Sequence, residues 1–428
     1  MDSQTVRQKH KEFLFPCVAN YYEEPVVITE AHGANVKDAD GRDYLDFFGG
    51  ILTLGIGHSH PDFVKRIQDQ VARLTHTASV YPTREQVKVA ERLTQITPGK
   101  LKKSFFTTSG TEADETAIML AKIYTGQQEI IALRHAYAGR SMTAISVTGQ
   151  KPWRVLPTQV AGIKHGLSPY CYRCPLGLEY PSCGVKCAQD LDELIQTETT
   201  GRPAAFIAEP IQGAGGFITP PKEYFEIAVG IVRKYGGVFI CDEVQTGWGR
   251  TGDHWCGIEH WKVEPEIMTF AKSVASGFPV GVTIANPEVA DAWTGLSLST
   301  FGGNPMSMAA VDVTLDVMER ENTPKRSAER GKQLRGYLEG FKQEFSFIGD
   351  VRGMGLMQGI ELVEDRRTKE PSPKKTLALM EAAKRQGLLI GKGGLYGNVI
   401  RVAPSMLITK AEIEDGCKRL EKALAEVK

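Results

Sequence analysis

The sequence has no long hydrophobic segment and no excess of either charge. No apolar run among its 428 residues approaches the roughly 18–20 residues needed to cross a membrane. Lysine plus arginine and aspartate plus glutamate both number 51, so the composition indicates neither a nucleic-acid partner nor an anionic membrane surface. The first ten residues are polar and precede no hydrophobic core of a signal peptide. We therefore expect a cytoplasmic protein with no membrane and no nucleic-acid partner.

Cysteine is also scarce, because eight residues are too few for a disulfide scaffold of this length. Four of the eight nevertheless fall in one segment, as the pairs Cys171/Cys174 and Cys183/Cys187, with eight residues between the pairs. Pairs of thiolates at this spacing can complete a tetrahedral structural zinc site. Free thiols and disulfides are the alternatives, and the spacing alone leaves all three open.

The remaining composition is that of an ordinary globular protein, with 42% hydrophobic and 24% charged residues. Short apolar strands alternate with helical segments through the middle of the chain, at 129–133, 205–209, 238–242, 268–271 and 280–285. This alternation predicts a doubly wound α/β fold with a mostly parallel sheet. After about residue 320 charged helices surround a glycine-rich strand pair, which predicts a smaller α+β domain.

These changes in sequence pattern predict three parts of the chain. Residues 1–60 form an N-terminal segment that joins the small domain, residues 61–319 form the large domain, and residues 320–428 form the small domain. A chain of this length suits one large domain with a smaller one attached.

Two charged residues follow strands of the predicted large sheet. Asp242 ends the apolar run 238–242, and Lys272 follows the run 268–271. Ligands of open α/β sheets bind at the carboxyl ends of strands. A lysine and an acid at adjacent strand ends are what pyridoxal 5′-phosphate (PLP) chemistry needs, although an ordinary ion pair would give the same pattern.

A second set of residues suits a phosphate and an aromatic ring. Ser109, Gly110 and Thr111 lie between a short strand and a helix predicted over 113–124, where backbone N–H groups can bind phosphate. Tyr137 follows another strand and could lie flat against a heterocycle. A well-capped helix and a core tyrosine are the alternative interpretations of these two features.

Three longer motifs, 206–213, 242–252 and 299–305, occur together and in this order. They resemble the class III aminotransferases, the ω-aminotransferase branch of the fold-type I PLP enzymes. The pieces 47–51 and 57–61 look closest to alanine–glyoxylate and 4-aminobutyrate aminotransferases. The resemblance implies a homodimer or dimer of dimers that moves an amino group from an amine or amino acid to a keto acid. Pyruvate, glyoxylate and 2-oxoglutarate are the implied acceptors, in a ping-pong cycle.

The resemblance also implies roles for individual residues around the cofactor. Lys272 would form the Schiff base with PLP and shuttle a proton, and Asp242 would pair with the pyridine nitrogen. Val244 and Tyr137 would pack on opposite faces of the ring, and Gln245 would lie near its phenolic oxygen. The phosphate would be held by residues of two subunits: Ser109, Gly110 and Thr111 of one, and Thr300 of the other.

Carboxylate recognition is the remaining implied role. Arg401 fits the arginine that binds the substrate α-carboxylate, because its planar guanidinium matches a carboxylate better than lysine does. Glu209 would pair with that arginine when no carboxylate is bound. Arg140 fits an arginine that can bind a distal carboxylate.

The sequence departs from the family pattern near these residues. Ala138 replaces the usual histidine, Asp114 stands where the family usually has asparagine, and 403–407 differs from the commoner Pro-Pro-Leu. These differences concern substrate choice rather than the groups that the chemistry requires. A PLP racemase, epimerase or amine lyase on the same scaffold is the main alternative function, and a non-catalytic binding module is another.

Overall fold

The computed structural model describes residues 1–427 of the chain. Its strands form one seven-stranded and two four-stranded sheets. The strands are β1 (Ile28–His32), β2 (Asn35–Asp38), β3 (Asp43–Asp46), β4 (Lys103–Thr107), β5 (Ile130–Leu133), β6 (Ile163–Gly166), β7 (Ala205–Ala208), β8 (Val238–Asp242), β9 (Ile267–Phe270), β10 (Gly281–Ala285), β11 (Ile348–Met354), β12 (Met357–Leu362), β13 (Leu388–Leu389), β14 (Gly391–Gly393) and β15 (Val399–Val402).

Helices cover these sheets and supply much of the remaining structure. They are α1 (Ser3–Phe13), α2 (Gly49–Leu52), α3 (Pro61–Arg73), α4 (Arg84–Ile96), α5 (Gly110–Thr125), α6 (Met142–Val147), α7 (Lys186–Glu198), α8 (Tyr224–Lys234), α9 (Pro287–Ala290), α10 (Pro305–Glu321), α11 (Thr323–Glu344), α12 (Pro373–Arg385) and α13 (Lys410–Val427). No helix within residues 1–427 is long and apolar enough to cross a membrane.

The large sheet has the strand order β4-β10-β9-β8-β7-β5-β6. Strands β6, β5, β7, β8 and β9 are parallel, whereas β10 is antiparallel to both β9 and β4. Strand β4 therefore runs in the same direction as the parallel set. The predicted mostly parallel sheet is confirmed, and the reversal of β10 is an addition that strand patterning alone does not reveal.

The strands of this sheet are apolar because helices cover both faces. Every residue of β5, β7, β8 and β9 is buried, as expected for parallel strands inside an α/β layer. Helix α5 packs on one region of the sheet against β8, β9 and β10, and α8 packs against β7 and β8. Burial of these strands fixes the position of the polar residues that follow them.

The two smaller sheets lie in the N- and C-terminal parts of the chain. The order β1-β2-β3-β13 joins residues 28–46 to a strand near residue 388, with β13 parallel to β3. The order β11-β12-β15-β14 is antiparallel throughout. The N-terminal segment is thus tied to the C-terminal part of the chain.

Most predicted elements occur close to their predicted bounds. The strands predicted at 129–133, 205–209, 238–242, 268–271 and 280–285 are β5, β7, β8, β9 and β10, and the helix predicted over 113–124 is α5. Sequence patterning did not predict β6, β13 and β14, since they are only two to four residues long, and β6 and β14 also carry polar or glycine residues.

Candidate active site

The carboxyl edge of the large sheet collects the polar residues that follow its strands. Ser109 follows β4, Tyr137 follows β5, Glu209 follows β7, Asp242 ends β8 and Lys272 follows β9. Because these five strands run in one direction, their carboxyl ends meet along the same edge. All five residues line one cavity of about 310 Å³.

The cavity is also lined by most of the other residues singled out from the sequence. These are Gly110, Thr111, Arg140, Val244 and Gln245. The lining also includes residues with no role predicted from the sequence, among them Thr53, Asp114 and Phe278. Thr53 comes from a glycine-rich stretch, 49–57, whose composition signals close backbone packing but does not show which side chain reaches a cavity.

Lys272 has an unusual backbone and an unpaired side chain. Its φ of 51° lies in the left-handed region, which is strained for a residue with a side chain. Within residues 1–427 its ammonium donates no hydrogen bond and forms no ion pair within 4 Å. Burial lowers its pKa, and the nearby carboxylates of Asp242 and Glu209 oppose that shift. The result is a lysine whose amine is available inside the cavity.

Asp242 is buried and held by its own chain. Its Oδ1 accepts a hydrogen bond from the Val244 backbone N–H at 2.9 Å, which orients the carboxylate after the strand ends. Burial raises its pKa to about 6, against the opposing effects of the Val244 N–H and the Lys272 charge. A cation that enters the cavity beside Asp242 would favour the ionised form.

Glu209 lies deep in the cavity wall and is satisfied by backbone donors. The Tyr137 N–H donates to Oε1 at 3.1 Å, and the Gly213 N–H donates to Oε2 at 2.8 Å. Burial, reinforced by the Asp242 charge, raises its pKa to about 8. Within residues 1–427 Glu209 and Arg401 form no ion pair within 4 Å, and each carboxylate oxygen accepts from one of these amides.

Arg401 is buried beside the cavity rather than in its wall. Its Nε donates to the Lys392 carbonyl at 3.0 Å, and its Nη2 donates to the Tyr21 hydroxyl at 3.3 Å. The guanidinium carbon lies 4.9 Å from the centre of the Phe48 ring. Burial lowers its pKa, which the Tyr21 hydroxyl and the charge of Glu209 oppose. The side chain therefore reaches the cavity region pre-oriented but with no carboxylate partner.

The N-terminus of α5 forms another part of the cavity wall. Ser109 caps the helix by accepting from the Glu112 N–H at 3.3 Å, and Glu112 in turn accepts from the Thr108 N–H at 2.8 Å. The predicted capped helix is confirmed, with the return bond one residue earlier than in an ideal capping box. Gly110 faces Val244, since an added Cβ would lie 3.3 Å from Val244 Cγ2.

Thr300 and Arg140 differ from the other predicted site residues. The first lies outside the cavity of its own chain, and the second lines the cavity without an ion-pair partner in residues 1–427. Thr300 is exposed and does not line the cavity. Arg140 is exposed at the cavity rim, and its backbone N–H donates to Thr111 Oγ1 at 3.3 Å. Within residues 1–427 the Arg140 guanidinium has no ion-pair partner, so it is free to meet an anion.

The four-cysteine segment does not form the expected zinc site. Cys171, Cys174, Cys183 and Cys187 are free thiols around a small cavity of about 20 Å³. No group of three or more histidine, cysteine or acidic residues in the described chain is arranged to hold a metal ion. Burial and neighbouring thiols raise the pKa of Cys187 to about 12, as expected for protonated thiols packed against one another.

The cysteine segment instead docks on the antiparallel sheet. Tyr170 and Arg173 both donate to the buried carboxylate of Glu361 on β12. Arg352 on β11 also donates to that carboxylate, at 2.7 Å. The segment is thus held by a buried charge network rather than by a metal.

Comparison with known proteins places this site in a family. The family model "Aminotransferase class-III" matches residues 17–424. A mitochondrial alanine–glyoxylate aminotransferase 2 homologue of Arabidopsis thaliana is 42% identical over 413 residues, covering 96% of this chain and 85% of that protein. A leucine/methionine racemase of Thermococcus litoralis is 34% identical over 418 residues, covering 97% of this chain and 94% of that protein.

A solved structure agrees with the sequence relatives. The amine transaminase of an uncultivated Pseudomonas species, in its PLP-bound form, superposes with a TM-score of 0.91 at 30% identity, covering 97% of this chain and 99% of that one. The fold is that of the fold-type I PLP transferases. The chain belongs to the class III aminotransferases, enzymes that use PLP.

Proposed function

We propose that the cavity at the carboxyl edge of the large sheet binds PLP and transfers an amino group from a small amine or amino acid to a keto acid. The observation that carries this proposal is the position of Lys272. Its unpaired amine lies in the same cavity as Asp242 and the first residues of α5. An anionic phosphate, an aromatic ring with a basic nitrogen and a carbonyl would each meet a complementary group there.

The cavity fits this cofactor on observations independent of family membership. The Oε1 atom of Gln245 is buried without a hydrogen-bond donor, and the phenolic oxygen of PLP would supply one. A Cβ at Gly110 would lie 3.3 Å from Val244 Cγ2 and one at Gly139 would overlap Thr111, so glycine allows the close backbone packing at this end of the cavity.

PLP supplies an electron sink that makes the Cα–H of the substrate amine acidic. Asp242 would keep the ring nitrogen protonated, and the pyridinium charge would in turn hold Asp242 ionised. Lys272 would take the proton from the substrate Cα at Nζ and return it, since burial lowers its pKa toward the working range of a base. Val244 and Tyr137 would fix the plane of the ring from its two faces.

Phosphate and carboxylate groups would be bound at opposite ends of the site. Ser109, Gly110 and Thr111 would offer hydroxyl and backbone N–H groups at the start of α5. Arg401 would bind the α-carboxylate of an amino acid or keto acid. Arg140 at the rim would bind a distal carboxylate in substrates that have one.

A homodimer is the proposed assembly. Exposed apolar side chains flank the exposed Thr300, at Leu298 and Phe301. Exposed apolar side chains favour contact with a protein partner, and a second copy would place Thr300 at the phosphate of the neighbouring site. In a mixed dimer of Lys272→Ala and Thr300→Ala chains, one site would then hold both intact residues and regain full activity at that site. No recovery beyond the Thr300→Ala level would contradict the shared site.

The chemistry is tested by a donor panel of alanine, 4-aminobutyrate, β-alanine, ornithine and 1-phenylethylamine, each with pyruvate, glyoxylate or 2-oxoglutarate. We expect formation of the new amino acid to require both donor and keto acid. The racemase relative motivates the second arm, in which one enantiomer of leucine or alanine is incubated without keto acid. Appearance of the other enantiomer at a rate matching turnover would favour racemisation over transamination.

The domain boundaries and the cellular location are also proposals. The separation into residues 1–60, 61–319 and 320–428 is supported by the large sheet, whose strands all lie between residues 103 and 285. Limited proteolysis near residues 60 and 320 tests it. A cytoplasmic location is the sequence-based expectation, whereas the Arabidopsis relative is mitochondrial, and cell fractionation distinguishes the two.

A further inference from the structure

Asp114 is a buried carboxyl group that the proposed chemistry does not use. It lies on α5, is 1% exposed and lines the same cavity as Asp242 and Lys272. Its Oδ1 accepts a hydrogen bond from Thr269 Oγ1 at 2.7 Å. Thr269 lies opposite Asp242 in the β8–β9 register, so one strand residue links the two acids.

The charges around Asp114 do not favour an ionised group. Within residues 1–427 its only hydrogen-bond donor is the neutral hydroxyl of Thr269, and no lysine or arginine lies within 4 Å of it. The charged groups that face it are Asp242 after β8, Glu209 after β7 and Lys272 after β9. Lys272 is the only one of these groups that carries a positive charge, and the next cation, Arg401, interacts with Glu209. A second anion beside Asp242 would be an uncompensated buried charge, which is costly.

Burial and the Asp242 charge raise the pKa of Asp114 well above its ordinary value. Asp242 differs because its carboxylate accepts a hydrogen bond from the Val244 N–H and interacts more strongly than Asp114 with the charge of Lys272. The two acids thus differ in their preferred protonation state: the surroundings favour the proton on Asp114 and the negative charge on Asp242.

We propose that Asp114 is a positioning residue that remains a neutral carboxylic acid in the folded enzyme. Of the two acids linked by Thr269, it leaves the negative charge on Asp242, the group that would meet the cofactor ring nitrogen. The role assigned to Asp242 rests on the proposed function, whereas the protonation of Asp114 does not. The two parts can therefore fail separately.

Infrared difference spectroscopy tests the protonation directly. Asp114→Asn keeps the shape and the acceptor for Thr269 but cannot ionise. At pH 7 the spectrum of wild type minus Asp114→Asn should show the carbonyl stretch of a protonated carboxylic acid. A carboxylate band in its place would overturn the proposal. The measurement is made on the enzyme as purified with its cofactor and needs no turnover.

The pH dependence of stability gives a second readout. Because the folded pKa is raised, folding takes up a proton above the unfolded pKa of about 4, and this group's contribution to stability falls as pH rises. The unfolding constant of wild type relative to Asp114→Asn should therefore grow with pH between 5 and 8, by up to about tenfold per pH unit. A ratio that stays flat or falls with pH would contradict a neutral Asp114.

Asp312 provides a matched control of opposite sign. It is also buried, at 4% exposure, but Arg92 and Lys88 donate to it at 2.6 and 2.8 Å, and these hydrogen bonds help to lower its pKa despite burial. Asp312→Asn should weaken stability at neutral pH and lose this effect toward acid pH. If Asp114→Asn behaved like Asp312→Asn, Asp114 would be an ionised structural residue. If the enzyme bound no PLP yet the infrared result held, only the proposed function would fail.

Discussion

Replacement of Arg401 by lysine is the sharpest test of substrate recognition. The guanidinium is fixed by its bonds to the Lys392 carbonyl and the Tyr21 hydroxyl and by the Phe48 ring beneath it. Lysine keeps the positive charge but cannot present two parallel N–H groups to a carboxylate. Arg401→Lys therefore removes one charge-assisted hydrogen bond and retains most of the long-range attraction.

The size of the effect follows from that single lost bond. A hydrogen bond to a charged group contributes about 2 kcal/mol, which corresponds to about a 30-fold change in kcat/KM. The loss should appear only for substrates with an α-carboxylate. Alanine should lose about 30-fold, whereas 1-phenylethylamine, which has no carboxylate, should change by less than about threefold.

The assay is the first half-reaction, in which the PLP-loaded enzyme is mixed with one donor and no keto acid. This design keeps the carboxylate of the acceptor out of the measurement. Tyr21→Phe serves as a graded control, because it removes the hydroxyl that accepts from Nη2 but leaves the guanidinium in place. An equal loss for both donors would refute the assignment and make Arg401 a structural residue. No loss for alanine would assign its carboxylate to another group.

Three further predictions concern neighbouring parts of the site. Gly139→Ala should weaken PLP binding by about tenfold or more, because the φ of 129° at this position disfavours alanine and the new Cβ would overlap Thr111. An unchanged dissociation constant for PLP in equilibrium dialysis would contradict this. Glu243→Gln should flatten the pH dependence of stability between about pH 4.5 and 7, because burial raises the pKa of Glu243 to about 7. Wild type should lose up to about 3 kcal/mol of unfolding free energy over that range as pH rises, and an unchanged slope of unfolding free energy against pH in denaturant titrations would refute this. Arg140→Ala should reduce kcat/KM for 4-aminobutyrate by about tenfold and leave that for 1-phenylethylamine unchanged, and equal losses would exclude a role in binding the distal carboxylate.

Much of the cavity could be predicted because its residues follow buried strands. The apolar run 238–242 ends at Asp242, and the chain direction of parallel strands brings such ends together. The same reasoning fails for the antiparallel β10, since alternation and burial look alike in both strand directions. It also fails for Arg401, which reaches the cavity from a different sheet.

Three other features depend on contacts that no local pattern encodes. Glu209 accepts hydrogen bonds from the backbone N–H groups of Tyr137 and Gly213, which come from two separate loops, so its pairing with Arg401 stays a prediction. Asp114 lies inside a helix, and only the packing of α5 on β9 shows that it is buried beside Asp242. The cysteine spacing fits zinc, yet the folded segment places its charge network, not its thiols, at the point of attachment.

The central claim is that Lys272 holds PLP, and one measurement tests it most directly. The purified protein is loaded with PLP, reduced with borohydride, digested and analysed by peptide mass spectrometry. The account predicts a phosphopyridoxyl group on Lys272, and none on that peptide in Lys272→Ala. Label on another lysine in wild type, or no label on Lys272 after loading, would contradict the account.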